Sequence, residues 1–334
     1  MAARELDLTR IVHLSLLARR EEATNSGTVV AAHPRSQWLS LRSVFNAHQR
    51  ILASALARER RPGLMVFLLT SSDVEGWCWL SATDDLRAGT LGRHGCVDLH
   101  VPYESGLSLR HCLFLVRRSR EGVRTYVADL NSSTGLRLED QRVVQALSTD
   151  SHVFLYLPGA VLACFPTGAP LPWDPDALPA FETLAPRKVL GRLERAPDLR
   201  LSVGKESSSI TVLPGPVPVE SGGLLLPGEV AAGELRLESD EGRERLQIGL
   251  SALDRGVVLG RYERCTGGGR ALTHERISRV HALLVRRDER LYLADAGSTN
   301  GTWLGEEEIK CARLEDRAEY CLGAAATFSW LPFD

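Results

Sequence analysis

The sequence predicts a mainly β protein in which one small β-unit occurs twice, preceded by a helical segment and divided by a Pro-rich linker. Three observations carry this. First, two short apolar runs, His281–Val285 and Leu291–Ala294, flank the charged stretch Arg286-Arg287-Asp288-Glu289-Arg290, the pattern of a β-hairpin with a solvated turn. Second, the motifs around that hairpin recur upstream in the same order: Arg93, Ser108 and Gly135 answer Arg261, Ser278 and Gly301 at offsets of 168, 170 and 166 residues. So near-constant an offset over so long a period indicates duplicated domains rather than a solenoid. Third, one clear helical stripe and one dense proline run mark what lies outside the two copies.

Composition narrows the function classes. With 334 residues the chain has room for two or three domains, and 40 basic against 42 acidic residues give a net charge of −2. A chain so balanced has no bulk attraction to nucleic acid or to an anionic membrane. The seven cysteines are scattered, odd in number and without a C-x-x-C pair, so neither a disulfide framework nor a zinc site is expected. His94, Cys96, His100, His111 and Cys112 lie near one another in sequence, but their spacing matches no structural zinc pattern. No signal-peptide architecture opens the chain, and no apolar run reaches the roughly 18 residues of a membrane span. A soluble, cytoplasmic protein without metal or cofactor is the expectation.

Residues 1–62 form the N-terminal helical segment. Leu6–Arg20 has partial helical periodicity. Ser40–Arg60 is the stronger helix, with Leu41, Val44, Phe45, Ile51, Leu52 and Leu56 on one face, Ser40 or Ser43 as cap, and Arg61-Pro62-Gly63 as stop. Its basic end, Arg58 to Arg61, suits the helix dipole. The expected use of this helix is to pack on the neighbouring domain. The first copy, 63–166, opens with strand candidates Met65–Leu69 and Gly76–Leu80, then runs through Leu91-Gly92-Arg93, Ser108-Leu109-Arg110-His111 and Asp129 to Gly135. Residues 167–231 read as a Pro/Gly-rich linker holding a small island of unclear fold, with Leu199–Val203 and Ser209–Leu213 as two strand candidates. Leu190-Gly191-Arg192 in this island is set aside, because no Ser-x-x-His or Asn-Gly follows it before Leu235. The second copy, 232–334, repeats the succession: Leu235–Leu237, Arg245–Ile248, Val257–Leu259, then the hairpin.

In this second copy, three polar clusters fall at one end of a small sheet. They are Gly260-Arg261 leaving one strand, Ser278-Arg279-Val280-His281 entering the next, and Ser298-Thr299-Asn300-Gly301-Thr302 leaving the third. Guanidinium forks, hydroxyl donors and glycines that let backbone N–H groups approach an oxyanion suit phosphate capture. Leu259-Gly260-Arg261, Ser278-x-x-His281 and Ser298-Thr299-Asn300-Gly301-Thr302, in this order, resemble the forkhead-associated (FHA) domain. Both copies resemble it, the C-terminal copy closely and the first with departures.

The resemblance implies two antiparallel β-sandwiches, each a module of the kind that binds phosphothreonine. It implies phosphate contacts from Arg261, Ser278 and Thr299, with Arg279 as a further guanidinium. It also implies that Asn300 pairs with the peptide main chain, although Asn-Gly is equally a turn signal. Gly260, His281 and Gly301 are expected to be structural, His281 bracing the loops. In the first copy Arg93, Ser108 and Ser133 are retained as a weaker site, while Thr134 stands where Asn300 stands in the second. The reading is thus a non-enzymatic adaptor or scaffold in Ser/Thr kinase signalling, read mainly by the C-terminal domain. Its expected partner is a phosphothreonine protein such as a Ser/Thr kinase or its substrate, with no nucleic acid or membrane. The alternative is a structural or oligomerisation protein using the same folds without phosphate. An enzyme using Ser278 and His281 lacks an orienting acid, and no nucleophile-elbow or nucleotide-binding motif is present.

Overall fold

Some strands of this chain are apolar at every position and others alternate, and the fold separates the two kinds by what covers them. A computed structural model describes residues 39–102, 106–157, 159–194 and 224–333. The expected helix at Leu6–Arg20 and the strand candidates Leu199–Val203 and Ser209–Leu213 lie outside the described residues.

The Ser40–Arg60 expectation corresponds to α1 (Leu41–Arg58), capped by Ser40, whose hydroxyl accepts from the Ser43 N–H. Leu41, Val44, Phe45, His48, Gln49, Leu52 and Leu56 form its buried stripe. Ile51, expected on that face, is 54% exposed. The i, i+3, i+4 spacing that joins Phe45, His48, Gln49 and Leu52 carries position 51 off the stripe.

The first copy contains β1 (Gly63–Leu69), β2 (Val74–Ser81), β3 (Arg87–Gly92), β4 (Leu99–His100), β5 (Cys112–Ser119), β6 (Gly122–Asp129), β7 (Leu136–Arg137), β8 (Val143–Thr149), β9 (Val153–Leu157) and β10 (Ala160–Thr167). Their order is β2-β1-β10-β9-β7-β8-β6-β5-β3-β4, one path folded into two layers through the β7–β8 pairing at Leu136 and Val144. β11 (Val189–Glu194), which contains the set-aside Leu-Gly-Arg, pairs antiparallel with β8. The second copy contains β12 (Ala231–Ser239), β13 (Gly242–Gly249), the short helix α2 (Leu250–Arg255), β14 (Val257–Leu259), β15 (Ala282–Arg287), β16 (Arg290–Asp295), β17 (Thr302–Leu304), β18 (Glu307–Glu308), β19 (Cys311–Arg313), β20 (Tyr320–Leu322) and β21 (Ala326–Pro332). It has the sheets β13-β12-β21-β20-β17-β18 and β14-β15-β16-β19. Both copies are β-sandwiches.

Inward residues of each sandwich form its own core: Val66, Phe114, Leu147 and Leu162 among others in the first, Leu235, Leu284, Leu293 and Phe328 in the second. The outward faces differ. Met65, Phe67 and Leu69 of β1, with Phe154, Val161 and Phe165, lie beneath α1 and beneath Trp173 and Ala180 of the proline-rich stretch. Phe45 sits centrally there, with ring centroids 5.9 Å from Phe154 and 5.1 Å from Trp173. The equivalent strand β12 alternates instead, placing Leu235 and Leu237 inward and Arg236 and Glu238 out to solvent.

The remaining faces pack on each other. Leu113, Leu115, Tyr126 and Ala128 of the first copy share one buried cluster with Leu283, Val285, Tyr292 and Ala294 of the second. Each of these residues is the repeat counterpart of one across the interface, so the contact has the self-complementary form of a two-fold dimer within one chain. Around it the Asn131 Nδ2 donates to the Arg264 carbonyl at 2.7 Å, the Tyr126 hydroxyl donates to the Arg255 carbonyl at 3.1 Å, and Arg117 pairs with Asp288.

The hairpin turn is tighter than its sequence indicated. Asp288 and Glu289 alone form it, at φ +48° and +63°, and Arg286, Arg287 and Arg290 are strand residues. Arg286 makes a bidentate pair with Asp254 at 2.8 and 2.9 Å. The Arg287 guanidinium lies 3.3 Å from the centroid of the Tyr126 ring, across the interface. Cys78, Cys112 and Cys164 are free thiols in the first core, and burial pushes all three pKa values up.

Candidate functional site

The site lies where β14 ends, β15 begins and β16 ends, because antiparallel pairing of these three strands brings the three motif loops together. Gly260 permits the closest approach: a Cβ there would meet the Arg279 and Ser278 carbonyls. With that space free, the Arg261 N–H donates to the Ser278 carbonyl at 3.2 Å and the Tyr262 N–H donates to the Arg279 carbonyl at 3.1 Å.

Ser278 is the pivot. Its hydroxyl accepts the Thr299 N–H at 3.0 Å and stands 3.4 Å from the Thr299 Oγ1. His281 fixes it: the His281 Nδ1 accepts the Ser278 N–H at 3.1 Å, so the ring proton is on Nε2, which donates to the Gly301 carbonyl at 3.0 Å. Burial pushes the His281 pKa below the ordinary histidine value, outweighing the Asp295 carboxylate and the Gly301 bond, so the ring is neutral. Gly301 takes φ +74°, a turn conformation that glycine adopts without strain.

The loop after β16 is held from within. Asp295 accepts from the Ser298 N–H at 2.7 Å, the Ser298 hydroxyl at 2.6 Å and the Thr302 hydroxyl at 2.7 Å. Asn300 is exposed and its Nδ2 donates to the Arg276 carbonyl at 2.7 Å, tying the second loop to the third. Its Oδ1, an acceptor, has no partner among the described residues.

Arg261 and Arg279 are both exposed, and neither side chain has a hydrogen-bond or ion-pair partner among the described residues. Asp254 is taken by Arg286. The structure therefore brings Ser278, Thr299 and Asn300 together beside two uncommitted guanidinium groups. Guanidinium groups and hydroxyls are the donor types that hold oxyanions.

The first copy repeats the backbone geometry but not the chemistry. The Arg93 N–H donates to the Ser108 carbonyl at 3.2 Å, the Ser133 N–H to the Ser108 hydroxyl at 3.0 Å, and the Ser108 N–H to the His111 Nδ1 at 3.2 Å. Its arginine, however, folds back, with Arg93 Nε donating to the Leu107 carbonyl at 2.5 Å. Leu109, 40% exposed, replaces Arg279. The Thr134 hydroxyl is buried with no hydrogen-bond partner among the described residues, where Asn300 reaches across to the facing loop.

One residue at the site was missed by sequence reasoning. Arg110, from the first copy, donates from Nε to the Gly297 carbonyl at 2.8 Å and from Nη2 to the Ser278 hydroxyl at 3.3 Å. The signal available was a charged residue at the motif position where the second copy has the apolar Val280. Among the described residues no cluster of three or more His, Cys, Asp or Glu side chains converges as metal ligands, and no helix is long and apolar enough to cross a membrane.

A family model described as the FHA domain matches residues 89–153 and 257–323. Among solved structures, the Rv1747 FHA-1 domain of Mycobacterium tuberculosis is similar, at 25% identity and a TM-score of 0.24, over 30% of this chain and 99% of that one. The FHA domain of the Chlamydia trachomatis protein CT664 matches at 18% identity and a TM-score of 0.25, over 30% of this chain and 99% of that one. Mycobacterium tuberculosis EmbR, solved with a low-affinity phosphopeptide, matches at 20% identity and a TM-score of 0.24, over 30% of this chain and 24% of that one. A comparison with curated proteins gives no match. The FHA model thus falls once in each copy, at the duplication the motifs announce.

Proposed function

We propose that this chain is a phosphothreonine-peptide-binding adaptor in Ser/Thr kinase signalling, and that its C-terminal domain does the reading. The observation that carries this is the convergence of Ser278 and Thr299, 3.4 Å apart through their hydroxyls, beside Arg261, exposed and unpaired among the described residues. A phosphate set there would accept from the guanidinium fork and from the hydroxyls, and Arg279 would add charge from the same loop as Ser278. Asn300 would hold the main chain of the extended peptide through its free Oδ1, giving the site a reason to prefer a peptide over free phosphate. Gly260, His281 and Gly301 set the loop geometry. The partner by this reading is a phosphothreonine protein, either a Ser/Thr kinase or one of its substrates. Arg93, Ser108, Ser133 and Thr134 form at most a weak second reader.

The test is calorimetry of the full chain against a phosphothreonine peptide library and the same library unphosphorylated. Binding confined to the phosphorylated library is the expected result. Equal affinity for both, or for neither, would leave the tandem as a packing unit without phosphate recognition.

A further inference from the structure

The interface between the domains is self-complementary in its apolar residues but not at its edge, and the exception lies at the binding site. In the second domain the third residue of the Ser-x-x-His motif is Val280, which packs into the shared apolar cluster. In the first domain the same position is Arg110, only 5% exposed, and its guanidinium crosses to the other domain. There it bonds the Gly297 carbonyl and the Ser278 hydroxyl. Gly297 makes room for this approach: it takes φ +73°, and a Cβ on it would stand 3.1 Å from the Cys96 carbonyl, the Thr90 hydroxyl and Val97 of the first domain.

We propose that the phosphate-binding site of the C-terminal domain is composite, with Arg110 of the first domain as a positioning residue that holds Ser278 and adds a third guanidinium. This rests on the phosphothreonine reading above and deepens it. A guanidinium carries five N–H donors. Arg110 uses two of them, and the others have no partner among the described residues. The Ser278 oxygen thus accepts from Arg110 and from the Thr299 N–H, and its own proton, which reaches the Thr299 Oγ1 at 3.4 Å, would turn to an incoming phosphate oxygen.

Burial works against the charge of Arg110, and the Asp295 carboxylate works for it. Asp295 already accepts from Ser298 and Thr302. A phosphate dianion beside Ser278 would give this buried cation a much stronger counter-charge. The relation is one-way. The second domain offers the first only Val280 at the equivalent place, so the weaker site receives no reciprocal arginine. The first domain thereby has a part in recognition that does not depend on its own loops binding anything.

The experiment titrates the full chain with a degenerate phosphothreonine peptide library, comparing wild type, Arg261→Ala, Arg110→Met and Arg110→Lys, with melting temperatures taken in parallel. Arg110→Met is expected to weaken binding at least tenfold with the chain still folded, and Arg110→Lys, which retains the charge, to recover part of the loss. A second readout separates charge from scaffolding. Wild-type affinity should fall between pH 7.5 and 5.5 as the phosphate, with a second pKa of about 6, loses its dianionic form, and Arg110→Met should flatten that fall. Should Arg110→Met fail to fold, Arg110→Gln, which can still bond the Gly297 carbonyl, takes its place with the same expectation. Binding within twofold of wild type in the folded variant, with an unchanged pH profile, overturns the composite site while Arg261→Ala still reports on the reading beneath it. A wild-type chain indifferent to phosphorylation overturns both.

Discussion

The two β-sandwiches of this chain share a fold and differ in what their surfaces are spent on. The first covers one outer face with α1 and the proline-rich stretch, and the other with its twin. Its motif loops are drawn into internal bonds: Arg93 onto the Leu107 carbonyl, Arg110 onto the neighbouring domain. The second leaves Arg236 and Glu238 of β12 in solvent, and among the described residues Arg261 and Arg279 are unpaired. The difference teaches that one sandwich can repeat the loop backbone of the other while its side chains turn to support. Loop geometry is inherited with the fold, whereas affinity depends on a few side chains that stay uncommitted.

The strongest way to break the comparison is at the cover. Phe45 is fully buried and packs edge-on against Phe154, Trp173 and Phe181. Phe45→Ala should cost about 3–5 kcal/mol of stability in chemical denaturation of the full chain, the scale for emptying a buried aromatic site. A loss below about 1 kcal/mol would mean that α1 merely rests on the first domain. Next come the paired arginines. Arg261→Ala should weaken phosphothreonine-peptide binding by about 2–5 kcal/mol, at least about 25-fold, in calorimetry. Arg93→Ala should change it by less than about 0.5 kcal/mol, as remote surface substitutions do. Equal losses would mean that both sites read.

Much of this division was legible in the strands, had their second faces been weighed. An antiparallel strand with one solvated face alternates, while a strand covered on both faces reads as a continuous apolar run. Leu64-Met65-Val66-Phe67-Leu68-Leu69 and Cys112-Leu113-Phe114-Leu115-Val116 are such runs, and the structure covers them with α1 and with the second domain. Glu234-Leu235-Arg236-Leu237-Glu238 alternates, and its outer face is open. The meeting of the motif loops was legible because the motifs sit at the ends of strands that pair antiparallel. The roles of Arg286 and Arg287 were not, since a charged run between two strands has the same composition whether it turns in water or pairs with Asp254 and Tyr126. Nor was the reach of Arg110, because local spacing says nothing of which domain lies opposite.

His281 separates bracing from binding, at a smaller cost. His281→Ala would strip partners from the buried Ser278 N–H and from the Gly301 carbonyl, so it should lower stability by about 1–3 kcal/mol and weaken peptide binding as well. Its folded pKa lies below the ordinary value of 6.5. Above that pH the group therefore adds no pH dependence. Below it the unfolded chain takes up a proton that the folded one refuses, and stability falls as pH falls. Denaturation at pH 7.5 and 5 should show this slope reduced in the variant. His152, buried beside Phe154 and Phe165 and pushed down to about 4, contributes a slope of the same sign that persists. Abolished binding with unchanged stability would place His281 on the ligand instead.

The finest test asks whether the first domain is a reader silenced by one residue. Asn300 bridges to the Arg276 carbonyl, and among the described residues its Oδ1 is free and the Thr134 hydroxyl is buried without a partner, too short for either task. Thr134→Asn restores the amide but leaves Arg93 bonded to the Leu107 carbonyl and Leu109 in place of an arginine. In an Arg261→Ala background, where the second site is disabled, the substitution should therefore raise residual phosphothreonine-peptide affinity by only about 0.5–1.5 kcal/mol, the net worth of one neutral hydrogen bond. Calorimetry with the same library reads it directly. Recovery to wild-type affinity would show that the missing amide alone separates the two domains, and that Arg93 leaves the Leu107 carbonyl whenever a phosphate is offered.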